Sequence, residues 1–154
     1  MESSLLPTEY TCVSPEETGA LGERFARGLK PGSVVALYGG LGAGETCFTK
    51  GIAAGLGIAE AVTSPTYTII CEYRANMNGC EVPVYHMDAY RLGGDEDFEG
   101  TGAVELLGGR GIAIIEWSER IPRSIPDDAI TVKIEISGPQ SRVFRICGAE
   151  GLCA

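Results

Sequence analysis

The chain has 154 residues, about the length of one domain, and it is long enough to bury a hydrophobic core without metal or disulfide staples. Hydrophobic residues make up 44% and charged residues 21%, which excludes a disordered chain. The net charge of −9 argues against broad binding to a nucleic-acid backbone, DNA included, and the simplest interpretation of this charge is solubility.

No targeting or membrane segment is predicted. The N-terminus lacks a basic patch followed by an apolar run, and no stretch approaches the ~20 apolar residues of a membrane span. The six cysteines form no C-x-x-C pair, and one histidine cannot complete a zinc-finger pattern. We therefore expect a single cytoplasmic domain over residues 1–154, with reduced, structural cysteines and no membrane partner.

The first predicted element is a helix that begins after Ser14. Ser14 suits the N-cap, Pro15 the first helical position and Glu17 the third position of a capping box. Apolar residues then recur every four positions, as on one face of a helix: Leu21, Phe25 and Leu29. Pro31 and Gly32 end this helix.

Three apolar segments are typical of strands buried on both faces of a parallel sheet. They span residues 33–38, 82–87 and 111–115, and the last two are followed directly by Asp88 and Glu116. Glycine is enriched in this chain, with 22 residues, and a glycine-rich turn follows the first strand. A second helix is predicted after that turn, from Thr46 to about Leu56.

The remaining elements complete an α/β architecture. A helix is predicted over residues 95–108, although Gly100 and Gly102 weaken its middle. Residues 130–136 alternate apolar and polar side chains, as in a half-exposed strand, and residues 142–146 are predicted to return beside it. We predict a three-layer α/β fold with a mostly parallel sheet and an antiparallel C-terminal hairpin.

The glycine-rich turn has the spacing of a phosphate-binding loop, Gly39-x-x-x-x-Gly44-Glu45-Thr46, between a buried strand and a helix. Glycines allow the backbone N–H groups to point at an anion, and the helix N-terminus adds positive potential. The Thr46 hydroxyl is placed to bind Mg²⁺. The candidate nucleotide-binding residues here are Gly39, Gly40, Leu41, Gly42, Ala43, Gly44, Glu45, Thr46 and Cys47.

Glu45 occupies the position where this loop ordinarily has a lysine that neutralises the β- and γ-phosphates. One unit charge pair at 4 Å is worth about 4 kcal/mol at an effective dielectric near 20, so reversing its sign changes the energy by at most about twice that. If Glu45 turns to solvent, it no longer repels the phosphates, and the only remaining effect is the loss of the attraction that the lysine would provide. Lys50 faces another side of the helix and is no obvious replacement. The alternative is a glycine-rich turn without a ligand.

Two acidic residues are expected beside this loop, because parallel strands collect ligands beyond their carboxyl ends. Asp88 and Glu116 each follow a buried strand, where a carboxylate binds magnesium or orients an attacking water. For either residue alone, the alternative is a helix cap or a solvated charge. Thr66 lies in a hydroxyl-rich segment, residues 63–68, which is either a phosphate-sensing switch or a plain polar turn.

Together these residues resemble the bacterial TsaE family (also called YjeE), the small P-loop ATPases of tRNA threonylcarbamoyladenosine synthesis. The resemblance covers roughly residues 14–137. Its motifs are Gly-Gly-Leu-Gly-Ala-Gly-Glu-Thr at 39–46, Ser-Pro-Thr-Tyr-Thr at 64–68, Val-Tyr-His-Met-Asp-Ala-Tyr-Arg-Leu at 84–92 and Ile-Glu-Trp-Ser-Glu-Arg at 115–120. Order and spacing match as well as content.

The resemblance implies a P-loop NTPase-like fold, ATP with Mg²⁺, and a complex with the TsaB and TsaD subunits. In that family the ATPase supports turnover of the enzyme that modifies adenosine 37 of tRNA, and the tRNA is met only through the complex. The resemblance also implies that residues 39–44 wrap the phosphates and that Thr46 and Glu116 bind the metal. It places Asp88 near the reacting phosphate and Thr66 in a switch segment.

The resemblance implies further contacts around the nucleotide. Ser14, Glu17 and Arg142 are candidates for the adenine side, near the first helix and the C-terminal hairpin. Trp117 is implied to pack near the nucleotide or a partner, and packing in the core is the alternative. In the third motif, strand parity makes either Tyr85 or His86 a core residue, and neither is assigned a role.

Two positions depart from the family pattern: Gly40 stands where an aspartate is usual, and Glu45 where a lysine is usual. The second departure makes hydrolysis doubtful. One hypothesis is an ATP-binding member of the complex that hydrolyses slowly or not at all. The other is a nucleotide-free scaffold that acts only through protein contacts, although Thr46, Asp88 and Glu116 favour the first. A small-molecule kinase is disfavoured because 154 residues leave little room for a substrate lid.

Overall fold

The computed structural model describes residues 8–39, 43–60, 62 and 70–148 and has an α/β fold. The strands are β1 (Thr8–Cys12), β2 (Val34–Tyr38), β3 (Ile70–Met77), β4 (Cys80–Asp88), β5 (Ile112–Glu116), β6 (Ile130–Ile136) and β7 (Arg142–Cys147). The helices are α1 (Pro15–Ala26), α2 (Glu45–Gly55) and α3 (Asp95–Gly100), with 3-10 turns at Ala103–Leu106 and Ser118–Arg120.

The seven strands form one sheet in the order β1-β7-β6-β2-β5-β4-β3. The four central strands, β6, β2, β5 and β4, are mutually parallel, and the pairings at both edges are antiparallel. The predicted parallel centre and the C-terminal hairpin of β6 and β7 are confirmed. All carboxyl ends of the parallel strands therefore lie at one edge, where the glycine-rich turn is.

Two edge strands were missing from the sequence prediction. β3 alternates exposed and buried residues and pairs only with β4, while β1 is short, largely exposed and pairs with β7. Edge strands are less buried than the central strands, so neither sequence is a continuous apolar run of the kind used to predict strands. Their strand conformation depends on a neighbour to pair with.

Helices α1 and α2 pack together on one face of the sheet. A Cβ on Gly51 would lie 2.4 Å from the carbonyl oxygen of Gly19, and a Cβ on Gly22 would lie 2.6 Å from that of Phe48. The two backbones therefore approach more closely than any side chain allows, which explains part of the glycine enrichment. Beneath them Phe48 packs against Phe25 and Phe144, with ring centroids 5.3 and 5.0 Å apart.

The start of α1 agrees with its sequence signature. Glu17 donates its backbone N–H to Ser14 Oγ at 3.2 Å, and its carboxylate accepts the backbone N–H of Val13 at 2.9 Å. The first bond satisfies a donor that the first turn of a helix leaves without a partner, whereas the second reaches Val13, one residue before the N-cap, instead of the Ser14 N–H of a capping box. Leu21 and Phe25 of the predicted apolar face are at most 1% exposed, but α1 ends at Ala26, earlier than predicted, so the buried Leu29 lies beyond the helix.

The helix predicted over residues 95–108 was wrong in its length. α3 ends at Gly100, and after Gly102, whose φ is +80°, only the 3-10 turn Ala103–Leu106 follows. Glycine at this positive φ ends the α-helical ladder at little steric cost. Phe98 and Ala103 are still buried, and they help to cover the second face of the sheet.

The helices in the described ranges bear on membrane insertion, and the cysteines there bear on disulfide bonding. No helix in those ranges has the length and apolar character to cross a membrane. Within the same ranges five cysteines are free thiols: Cys12, Cys47, Cys71, Cys80 and Cys147.

Candidate nucleotide and metal site

The glycine-rich turn joins the carboxyl end of β2 to the N-terminus of α2. A Cβ on Gly39 would lie 2.9 Å from the carbonyl oxygen of Ile134, so this position has no room for a side chain. Gly44 has φ +103° and caps α2 in the left-handed conformation that glycine adopts most easily. The described ends of the turn therefore fit a phosphate-binding loop. Three predicted contacts, Gly40, Leu41 and Gly42, lie outside the described residues.

Glu45 is the first residue of α2, and its side chain is buried against the end of β5. The residue is only 5% exposed, and its Oε1 accepts the backbone N–H of Trp117 at 2.9 Å. Its Oε2 is buried and has no hydrogen-bond partner among the residues that the structure describes. The expectation that Glu45 can turn to solvent was therefore wrong, because the helix start points this side chain toward the strand ends.

Burial raises the pKa of Glu45, and with the opposing Trp117 N–H bond and the negative charges of Glu116, Glu119 and Asp88 the result is a pKa of about 8. At pH 7 the carboxyl is therefore mostly protonated. The charge-reversal energy derived for an ionised Glu45 consequently overstates its repulsion of a phosphate at neutral pH.

A stability measurement follows from this raised pKa. Between the ordinary pKa of 4.5 and about 8 the folded chain binds the Glu45 proton more tightly than the unfolded chain does, so the stability falls as the pH rises. Glu45→Gln removes the titration and keeps an acceptor for Trp117. We expect the free energy of unfolding of the parent chain to fall relative to this variant by up to about 1.4 kcal/mol per pH unit in that window.

Denaturant unfolding in EDTA at pH 5, 6.5 and 8 measures this difference, with Glu23→Gln, an exposed acid on α1, as the control. Parallel pH profiles of the parent and Glu45→Gln would contradict the raised pKa of Glu45.

Thr46 and Glu116 are brought together, as the sequence predicted. The Thr46 hydroxyl donates to Glu116 Oε1 at 3.1 Å, which joins the first turn of α2 to the end of β5. Glu116 is 4% exposed. A hydroxyl and a carboxylate are hard oxygen donors, so this pair suits Mg²⁺. No three His, Cys, Asp or Glu side chains converge as metal ligands within the described part of the chain.

Sequence analysis assigned no role to His86, but the structure places it beside Glu116. Its Nε2 lies 2.5 Å from Glu116 Oε2, and His86 is 1% exposed. Such a partner fixes the orientation of a ligating carboxylate. The sequence did carry a signal for this placement. His86 precedes Asp88 by two residues, so in a strand both side chains lie on the same face.

Asp88 ends β4 directly beside Glu116, its partner in the parallel register. Its Oδ1 accepts the backbone N–H of Tyr90 at 2.9 Å. Burial, followed by the negative charge of Glu116, raises the pKa of Asp88. The two strand-end acids thus meet at the edge of the sheet where they were expected. Thr66 lies outside the described residues.

A cleft of about 280 Å³ opens on the other side of Gly44. Its lining residues are Pro15, Thr18, Gly44, Cys47, Pro139, Gln140 and Arg142. Arg142 donates from Nε to the carbonyl oxygen of Ala43 at 3.0 Å, which ties β7 to the glycine-rich turn. This cleft brings together three predicted contacts, Gly44, Cys47 and Arg142. Ser14 and Glu17 lie at the start of α1 nearby, where both side chains cap the helix.

Trp117 follows Glu116 in the left-handed conformation, with φ +61°. Its half-buried ring packs on Tyr90 with centroids 4.7 Å apart, and the Arg120 guanidinium lies 5.4 and 5.7 Å from the centroids of Tyr90 and Trp117. The sequence left two interpretations of Trp117, packing in the core and packing near the nucleotide or a partner. The structure instead places its ring in a half-buried cluster with Tyr90 and Arg120. Tyr90 and Arg120 were not selected from the sequence, because their pairing depends on the turn after β5.

Comparison with known proteins gives one consistent result. The sequence model of the family described as "Threonylcarbamoyl adenosine biosynthesis protein TsaE" matches residues 12–144. The chain is 42% identical over 137 residues to the tRNA threonylcarbamoyladenosine biosynthesis protein TsaE of Treponema pallidum (strain Nichols), spanning 88% of this chain and 98% of that protein.

Two further matches come from Bacillus subtilis. The protein of the same name from strain 168 is 42% identical over 134 residues, spanning 87% of this chain and 81% of the relative. Among solved structures, the crystal structure of YdiB matches with a TM-score of 0.75 and 36% identity, spanning 94% of this chain and 87% of that one.

Proposed function

Because this chain belongs to the TsaE family, we propose that it acts in tRNA threonylcarbamoyladenosine biosynthesis as an accessory protein that binds ATP with Mg²⁺. In this proposal it works in a complex with TsaD and TsaB, and tRNA is met only through that complex. Hydrolysis of ATP by this chain is slow or absent, since Glu45 stands in the lysine position.

The observation that carries the proposal is the hydrogen bond of 3.1 Å between Thr46 and Glu116. It joins a hydroxyl at the start of the helix to an acid at the end of a parallel strand, and this donor pair fits Mg²⁺. When bound, Mg²⁺ supplies positive charge that offsets the charge of the phosphates. A nucleotide-free scaffold gives no reason for these two groups to meet.

Each part of the site has a function in this proposal. The N-terminus of α2 binds the phosphates through its backbone N–H groups. The cleft beside Gly44 and Arg142 takes the nucleoside. His86 orients Glu116, and Asp88 faces the terminal phosphate, where its oxygen accepts a hydrogen bond from the attacking water.

One observation favours the second candidate, a scaffold that acts only through protein contacts. The carboxyl of Glu45 is buried beside the start of α2, where the phosphate-binding lysine ordinarily neutralises charge. Under this alternative the site binds no ATP, and the contribution of the chain to the complex comes from its surface.

Calorimetric titration with ATP, in Mg²⁺ and in EDTA, separates the two candidates. The proposed function predicts saturable binding in Mg²⁺ that weakens in EDTA. Heat changes equal to dilution under both conditions would overturn it and favour the scaffold. Arg145→Gln, at a surface ion pair on β7, is the control and should bind ATP as the parent does.

A further inference from the structure

Glu45 and Glu116 lie side by side at the start of α2 and the end of β5. Two hydrogen bonds cross between the segments: Thr46 donates to Glu116 at 3.1 Å, and the backbone N–H of Trp117 donates to Glu45 at 2.9 Å. Thr46 follows Glu45 and binds Glu116, and Trp117 follows Glu116 and binds Glu45. The two acids are therefore held at the same junction of α2 and β5, and both are at most 5% exposed.

One oxygen of this pair has no partner among the described residues. There Oε2 of Glu45 is buried and accepts no hydrogen bond, whereas Oε1 is bound by Trp117 and Glu116 is bound by Thr46 and His86. Buried polar atoms without a partner are uncommon in folded proteins, and a bound water or ion is one explanation for them. The surroundings of Glu45 are acidic, since Glu116, Glu119 and Asp88 all act on its carboxyl. A cation is the ligand that such surroundings favour.

From this arrangement we propose that Glu45 is a ligand of a divalent cation, which Glu45, Glu116 and the Thr46 hydroxyl bind before any nucleotide arrives. The inference deepens the proposed function and rests on it for assigning Thr46 and Glu116 to Mg²⁺. One or two carboxylates with several waters are the usual protein contribution to Mg²⁺, so three converging acids are not required. Asp88 lies in register with Glu116 on the neighbouring strand and adds a further acid to this edge.

A bound cation would give the carboxylate at position 45 a role in phosphate binding. A lysine in the loop attracts phosphates directly, whereas a carboxylate attracts them only through a cation bound to both. The chain is thereby expected to bind the metal first and the nucleotide second. The ligand class is a hard divalent cation, for which Mn²⁺ is a measurable substitute for Mg²⁺.

Titration of the nucleotide-free chain with Mn²⁺ at pH 8, followed by electron paramagnetic resonance of the free ion, tests the proposal. We expect one Mn²⁺ per chain, at least tenfold weaker binding in Glu45→Gln and in Glu116→Gln, and unchanged binding in Glu23→Gln. The glutamine at position 45 keeps an acceptor for the Trp117 N–H, and thermal unfolding of each variant in EDTA reports whether it is folded.

The outcomes separate this inference from the proposed function. Absence of Mn²⁺ binding, or equal binding by the parent and Glu45→Gln, overturns the cation site even if ATP binds with Mg²⁺. Mn²⁺ binding that depends on Glu45, in a chain that shows no ATP binding, supports the cation site and overturns the proposed function.

Discussion

Glu45→Lys should bind ATP about 10–100-fold more tightly than the parent chain and hydrolyse it at least tenfold faster. The substitution removes an acid from the phosphate side of the site and adds an ammonium group, and a hydrogen bond from a charged donor contributes about 1.5–3 kcal/mol. The ammonium also stabilises the charge that develops as the phosphoryl group is transferred, which raises the rate. Calorimetry and phosphate release measure the two effects.

Glu45→Gln distinguishes the loss of the acid from the gain of the lysine. Glutamine is neutral and still accepts the Trp117 N–H, but it removes the proposed cation ligand, so in Mg²⁺ it should neither tighten ATP binding nor raise hydrolysis above the parent rate. ATP binding by the lysine variant should also depend less on Mg²⁺, because its attraction for phosphates is direct. If lysine changes neither affinity nor turnover, our interpretation of position 45 is wrong.

Glu116→Ala should weaken ATP binding in Mg²⁺ at least tenfold, and binding in EDTA much less. The alanine removes the acid that accepts from Thr46 at 3.1 Å, which is the predicted metal ligand. Loss of one charge-assisted contact corresponds to about 1.5–3 kcal/mol, hence about 10–100-fold in affinity. Calorimetric titrations of parent and variant under the two conditions provide the comparison.

The same substitution also leaves His86 buried without its partner, so the variant should unfold more easily. Glu116→Gln is the companion variant, since its amide keeps an oxygen for Thr46 while losing the charge. It should show the same selective loss in Mg²⁺ with a smaller loss of stability. Equal losses with and without the metal in both variants would count against a metal role for Glu116.

How far the sequence predicts this site is clear from Asp88 and Glu116. Both follow unbroken apolar strands, and parallel strands necessarily end at the same edge, so their meeting was predictable. The cap of α1 was equally predictable, because Ser14 and Glu17 interact within one turn. By contrast, the helix predicted over residues 95–108 was too long. The prediction gave more weight to the apolar pattern than to Gly100 and Gly102, and the glycines end the helix.

Two contacts between distant segments were not predicted from the sequence. The Glu45 carboxyl meets Trp117, 72 positions away, and His86 meets Glu116, 30 positions away. Such contacts depend on strand order and on the direction in which α2 begins, neither of which a local pattern specifies. The expectation of a solvent-exposed Glu45 failed for this reason.

The sequence by itself determined the loop between β2 and α2 and the acids at the strand ends, because period, turn chemistry and strand termini are local properties. The tertiary structure alone decided that Glu45 is buried, that its pKa rises to about 8 and that His86 contacts Glu116. These properties depend on which groups surround a side chain and exclude water from it, and those groups come from all parts of the chain.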